Sequence, residues 1–268
     1  MPRFDPHPDR RPAVVTGASS GIGRATAVAL AALGHPVVLG ARRVERCEEA
    51  ATEIRDAGGE AVAVHLDLLD PTSIATFSAA AVEAVGPVEV VVSNAGDVQP
   101  ITVAGADPAE FTRQVGVNLL GPQALVHHLV PPMVERRRGD VVIVPSEVSI
   151  RPRPNMAAYV ASKSGIEGMA DALRMELEGT GVRVGVVRPG PASTEQGTTW
   201  SAADIDEVMA TWSRWGLLRH GGYLRPADVA AAVTAVVGTP RGTQLAIVEV
   251  QPEAPIEGPA DDAPGGQP

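Results

Sequence analysis

The chain has 268 residues, a formal net charge of −10, 44% hydrophobic residues and only 3% aromatic ones. The length allows one large domain or two small ones with a core built mainly from Val, Ala and Leu, and the acidic balance excludes wholesale attraction to nucleic acid or an anionic membrane surface. A single cysteine, Cys47, leaves no internal disulfide and no cysteine metal cluster.

Residues 1–11, rich in Pro and charge, read as a flexible N-terminal segment without an apolar signal core. No later apolar run is long enough to span a bilayer, so the expectation is a cytoplasmic protein with no membrane or nucleic-acid partner. From residue 12 to 250, seven Val-rich runs alternate with Ala-rich stretches. The runs are "PAVVTG", "PVVLGA", "AVAVHL", "VEVVVS", "DVVIVP", "VRVGVV" and "TQLAIVEV". Helices are predicted over 22–33, 43–57, 71–85, 107–136, 155–179 and 226–237. Continuous apolar strands belong in a parallel sheet covered on both faces. The fold class is therefore α/β, a single Rossmann-type doubly wound domain with a seven-stranded parallel sheet and helices on both faces. Residues 251–268, rich in Pro, Gly and Asp, read as a disordered tail.

The first strand runs into "TGASSGIG", where Gly17, Gly21 and Gly23 permit a tight turn and close backbone approach to a ligand. The helix that follows points its free amides and positive dipole end at the same place, which suits a pyrophosphate. Ser19, Ser20 and Ile22 belong to the same turn. At the end of the second strand an NAD site usually offers a carboxylate. Here Ala41 stands in that place and is followed by Arg42 and Arg43, whose guanidinium groups match phosphate oxygens. NADP(H) is therefore favoured over NAD(H), with Arg42 the expected contact and Arg43 the alternative start of the next helix.

Further along, residues 191–224 hold all three tryptophans, Trp200, Trp212 and Trp215, between the sixth strand and the next helix. They read either as a substrate lid at the carboxyl edge of the sheet or as a surface helix docking its aromatics. In "AAYVASKSG", Tyr159 and Lys163 are one helical turn apart on the same face. A unit positive charge about 4 Å from a phenol is worth about 4 kcal/mol at an effective dielectric of about 20. Helped by a bound oxidised nicotinamide, Lys163 is thus expected to bring the phenol toward neutrality. Ser146, at the end of the fifth strand, is placed to meet the same carbonyl oxygen.

Taken together, "TGASSGIG", "SNAG", "VNLLG", Ser146, "YVASK" and "RPGPAST" resemble the short-chain dehydrogenase/reductase family over about residues 12–250. The resemblance implies that Tyr159 is the general acid or base, that Ser146 polarises the carbonyl, and that Lys163 binds the nicotinamide ribose. It implies that Asn118 holds a water for proton relay. It also implies cofactor contacts from Asp67 and Leu68, from Asn94, Ala95 and Gly96, from Pro189, Gly190 and Thr194, and from Tyr159 and Lys163 themselves. A homodimer or homotetramer and a small carbonyl or alcohol substrate are implied as well, with no metal required.

Some positions depart from that pattern. Ser93 replaces an asparagine, Pro145 replaces a serine, Glu147 follows the catalytic candidate where a small residue is common, and Ser149 stands in for a glycine. Pro145 should lie at or past the last paired position of its strand. Asp97, Glu147 and Arg151, with Trp200 and Trp212, are the tentative substrate residues; the plainer alternative is that the charges pair with one another or with Arg153. His127 and His128 have no ligand partner nearby and read as packing or solvated residues. The rivals to a reductase are an NAD-dependent alcohol dehydrogenase and a nucleotide-binding protein without turnover.

Overall fold

The computed structural model describes residues 5–255. Seven short apolar runs form one parallel sheet: β1 (Ala13–Thr16), β2 (Val37–Ala41), β3 (Ala61–His65), β4 (Val90–Ser93), β5 (Gly139–Ile143), β6 (Val182–Pro189) and β7 (Ile247–Val250). Their order is β3-β2-β1-β4-β5-β6-β7. The chain steps outward from β1 to β3 and then returns to lay β4 on the other side of β1. The carboxyl ends of β1 and β4 thus diverge at a switch point, where such sheets open a crevice.

Alternate strand residues face opposite layers. Val15, Leu39 and Val92 pack on one face with α1 (Gly21–Ala32), α2 (Val44–Asp56) and a late helix, Pro226–Gly238. Val14, Val38 and Val91 pack on the other with α3 (Pro71–Val85) and two later helices, Gly121–Glu135 and Ala157–Glu176. With few aromatics available, fit depends on small residues. A Cβ at Gly40 would lie 2.6 Å from the ring of Phe77, so glycine in β2 makes room for the buried phenyl. Cys47 is part of this packing, and burial pushes its thiol up to about 11, away from reactivity at neutral pH.

Helix starts follow local chemistry. The Asp70 carboxylate accepts from the Thr72 amide at 2.8 Å and Pro71 follows at the first helical position of α3. Asp70→Ala is expected to cost about 1 kcal/mol, read as a lower denaturation midpoint with unchanged slope; an unmoved midpoint would contradict the cap.

The stretch predicted as one helix over 107–136 is three pieces. α4 (Pro108–Val115) and α5 (Gly121–Glu135) flank a wider turn at Gly116–Leu120. Pro122 has no N–H for the carbonyl of Asn118, and the Gly121 amide bonds back to the Gly116 oxygen instead. After it come α6 (Ala157–Glu176), α7 (Ala202–Arg214) and α8 (Pro226–Gly238). The periodicity reading did not single out α7, which starts with a reciprocal Ser201–Asp204 cap inside the tryptophan-bearing insertion. A parallel bridge between Ala192 and Leu224 closes the base of that insertion.

Two stretches that composition reads as loose contain residues held by the fold. Arg11 belongs by composition to the flexible segment, yet its side chain is 2% exposed and pairs with Asp140 at 2.6 Å. It also donates to the Val237 oxygen at 3.0 Å. A buried guanidinium persists only where such partners neutralise it. At the other end, Gln251 donates to Glu249 at 3.0 Å and to Glu147 at 3.3 Å, and Pro252 is buried. The rest of the tail, 256–268, lies outside the described residues. Among the described residues, no helix is long and apolar enough to cross a membrane.

Candidate active site

The crevice above β1 and β4 opens into a cleft of about 630 Å³. Its floor is the glycine turn. Gly17 and Gly21 sit at φ values of 67° and 54°, which side chains rarely adopt. Gly17, Ser19, Ser20, Gly21 and Ile22 line the cleft. Gly23 does not. It lies beneath them, where a Cβ would be 2.3 Å from the Gly17 oxygen, so its contribution is close packing of helix on turn. No side chain caps α1, leaving its first amides free for an anion. This cradle fits a dinucleotide pyrophosphate.

The rim follows the strand ends. Arg42, Arg43, Asp67 and Leu68 line one side. Arg43 donates to Ser19 Oγ and Ser20 Oγ, both at 3.1 Å, whereas Arg42 makes no hydrogen bond or ion pair among the described residues. Asn94, Ala95 and Gly96 lie at the switch point. Asn94 Nδ2 donates to the Thr16 oxygen and its amide to Thr16 Oγ1, both at 3.0 Å, which ties β4 to β1. Pro189, Gly190 and Thr194 line the far side. Among the described residues, no cluster of three or more His, Cys, Asp or Glu is placed to hold a metal ion.

Ser146, Tyr159 and Lys163 converge on the cleft wall. β5 ends at Ile143, so Pro145 falls past the last paired position as expected. The Ser146 hydroxyl and the Gln196 side chain lie on the Tyr159 side of the cleft and favour the ionised form of its phenol. Burial outweighs them, and the phenol sits above its ordinary value. Lys163 donates from Nζ to the Val144 oxygen at 3.2 Å, and burial pushes its ammonium down to about 8. Its nitrogen is 5.7 Å from the centre of the Tyr159 ring. Burial dominates both groups here and outweighs any pull of Lys163 on the phenol, while the expected shift toward neutrality counts on an oxidised nicotinamide beside them as well.

Asn118 is fully buried behind the cleft wall. Its Nδ2 donates to the Asp97 oxygen at 2.8 Å and to Ser162 Oγ at 3.1 Å, and its Oδ1 accepts from the Asp97 amide at 2.8 Å. The wide turn at Gly116–Leu120 aims the amide there. A Cβ at Gly96 would lie 3.2 Å from both Asn118 Oδ1 and Lys163 Nζ, so Asn118 braces the backbone against which the lysine is held.

On the substrate side, Val98, Val148, Met156 and Tyr159 form a small apolar cluster against Trp200 and Trp212. Trp200 Nε1 donates to the Val98 oxygen and Trp212 Nε1 to the Pro154 oxygen, both at 3.0 Å. Trp215 is exposed and takes no part. The charges here are neutralised. Asp97 pairs with Arg113, and Glu147, nearly buried, pairs with Arg153 at 3.0 Å. Arg151 is not on the cleft; it pairs with Glu249 at 2.6 Å and more loosely with Glu147 at 3.8 Å. Arg153 takes the place expected for Arg151, donating to the Leu217 oxygen at 2.8 Å and lying over the Trp212 ring. Gln196 and Glu195 also belong to the site, although no local pattern in the sequence marks them.

A family model described as short chain dehydrogenase matches residues 11–204. The chain belongs to the short-chain dehydrogenase family. It is 33% identical over 240 residues, 90% of its length, to a glycine betaine reductase of Emericella nidulans. Against three of its curated relatives this short-chain dehydrogenase spans 18%, 64% and 62% of their lengths. Among solved structures it is similar to an alcohol dehydrogenase of the archaeon Thermococcus sibiricus complexed with 5-hydroxy-NADP. That match has a TM-score of 0.78 and 30% identity, and covers 90% of this chain and 96% of the other. It is also similar to a tryptophan-substituted variant of the actinorhodin polyketide ketoreductase with NADPH. Here the TM-score is 0.79 with 30% identity, over 91% and 97% of the two chains.

Proposed function

We propose that this short-chain dehydrogenase is an NADP(H)-dependent reductase of neutral, largely apolar ketones or aldehydes. The observation that carries the reading is the convergence of Ser146, Tyr159 and Lys163 on one cleft, where the glycine cradle joins the tryptophan-walled pocket. With the dinucleotide's pyrophosphate in the cradle, its nicotinamide would supply the hydride. Ser146 holds the carbonyl oxygen, and Tyr159 gives that oxygen its proton. Because burial keeps the phenol above its ordinary 10.0, the donating form fills the neutral range, which suits reduction. Lys163 holds the ribose, and Asn118 keeps Lys163 in place through Gly96 and Asp97.

The apolar cluster and the paired state of Asp97 and Glu147 support a neutral substrate, since no unpaired charge among these groups waits for a charged one. Phosphate preference is supported by Ala41 in place of an acid and by the unpaired guanidinium of Arg42 on the cleft. Arg42→Ala is expected to raise the KM for NADPH about tenfold, the worth of a charged hydrogen bond, and to leave the KM for NADH nearly as it was. Equal rises for both would defeat the assignment. The whole reading is tested by assaying a panel of neutral and anionic ketones with each cofactor. Turnover confined to NADH, or to anionic ketones, would overturn it.

A further inference from the structure

Three consecutive residues after β6 touch three parts of the cleft. Thr194 lies against Gly21, where a Cβ would be 3.3 Å from its methyl group. Gln196 lines the cleft with Tyr159, whose phenol its side chain favours in the ionised form. Between them, Glu195 faces the rim. Its Oε2 accepts from Arg43 at 2.8 Å and its Oε1 from Arg46 at 2.5 Å. The second nitrogen of Arg43 is taken by Ser19 and Ser20. Two guanidinium groups at the start of α2 are thus bridged by an anion that belongs to the protein, beside Arg42, which has no partner among the described residues.

A carboxylate and a phosphate monoester present oxygens to guanidinium forks in the same way. We infer that Glu195 is a specificity-determining residue, an internal anion that stands in for a ribose 2′-phosphate at Arg43 and Arg46. A phosphorylated ribose has to displace it, whereas an unphosphorylated one does not. The displacement is feasible, because the carboxylate and both guanidinium groups are about half exposed and such pairs are weak. If Glu195 stayed in place, it would repel the incoming dianion. Glu195 therefore narrows the margin by which the arginines favour NADPH. The inference rests on the dinucleotide reading of the cleft and not on the phosphate preference itself.

The test is to measure dissociation constants of NADPH, NADH, 2′,5′-ADP and 5′-AMP for the wild type and Glu195→Gln, alone and with Arg43→Ala. In Glu195→Gln the ratio of NADH to NADPH constants should rise about fivefold, with a parallel rise for the fragments. Arg43→Ala should remove most of that gain. A ratio within about twofold of the wild type, or a fall, overturns the inference. Wild-type protein that binds no dinucleotide overturns both this and the proposed function. Wild-type protein that favours NADH overturns only the phosphate preference, and the Glu195→Gln ratio still decides the role of Glu195.

Discussion

Tyr159→Phe is expected to lower the rate of carbonyl reduction by about 10²- to 10⁴-fold, the usual worth of a positioned general acid. The ring is buried among Val98, Val148 and Met156, and phenylalanine keeps that packing. Only the hydroxyl is lost, with whatever polar contact it makes to Ser146 and Gln196 on the same wall of the cleft. Stability should therefore change by less than about 1 kcal/mol, and NADPH should still bind. A large loss of turnover with a native melting curve is the expected pair of results. Undiminished turnover would remove Tyr159 from the chemistry, and a collapsed fold would make it a packing residue.

Lys163→Met is expected to stabilise the protein while abolishing most of its activity. Burial pushes the Lys163 ammonium down to about 8 from 10.5. A base whose folded value is depressed holds its proton less tightly than in the unfolded chain, so the penalty is full below about pH 8 and fades as pH rises to 10.5. That penalty is about 3 kcal/mol, offset by about 1 kcal/mol for the hydrogen bond to Val144. Lys163→Met should gain about 2 kcal/mol at pH 7, with the advantage gone by about pH 10.5, while turnover falls at least about 100-fold. Urea denaturation at several pH values checks the first part. A variant less stable at pH 7, or one with a constant difference across the range, would contradict the buried charge.

These expectations also show what the sequence discloses. The sheet was legible because strands buried on both faces leave continuous Val runs, and α6 because Tyr159 and Lys163 keep helical spacing. The glycine turn was legible for a steric reason: positive φ and a 2.3 Å approach leave few residues to choose from. What stayed hidden depends on distant partners. Arg11 looks like part of a charged end until Asp140, far along the chain, is folded beside it. The wide turn at Gly116–Leu120 follows from Pro122, but its value lies in bringing Asn118 to Asp97 and Ser162. The direction in which Tyr159 titrates is set by burial, which spacing along a helix does not report. Glu195 and Gln196 matter only because the insertion folds back over the rim.

The most direct measurement supplies NADPH deuterated at the transferable position of nicotinamide C4 with a neutral ketone and examines the alcohol by mass spectrometry. The wild type should place deuterium on the carbinol carbon, and Tyr159→Phe should bind the same cofactor and form almost none. NADPH bound by the wild type with no deuterium transferred to any ketone tried, or equal transfer by both proteins, would contradict the account.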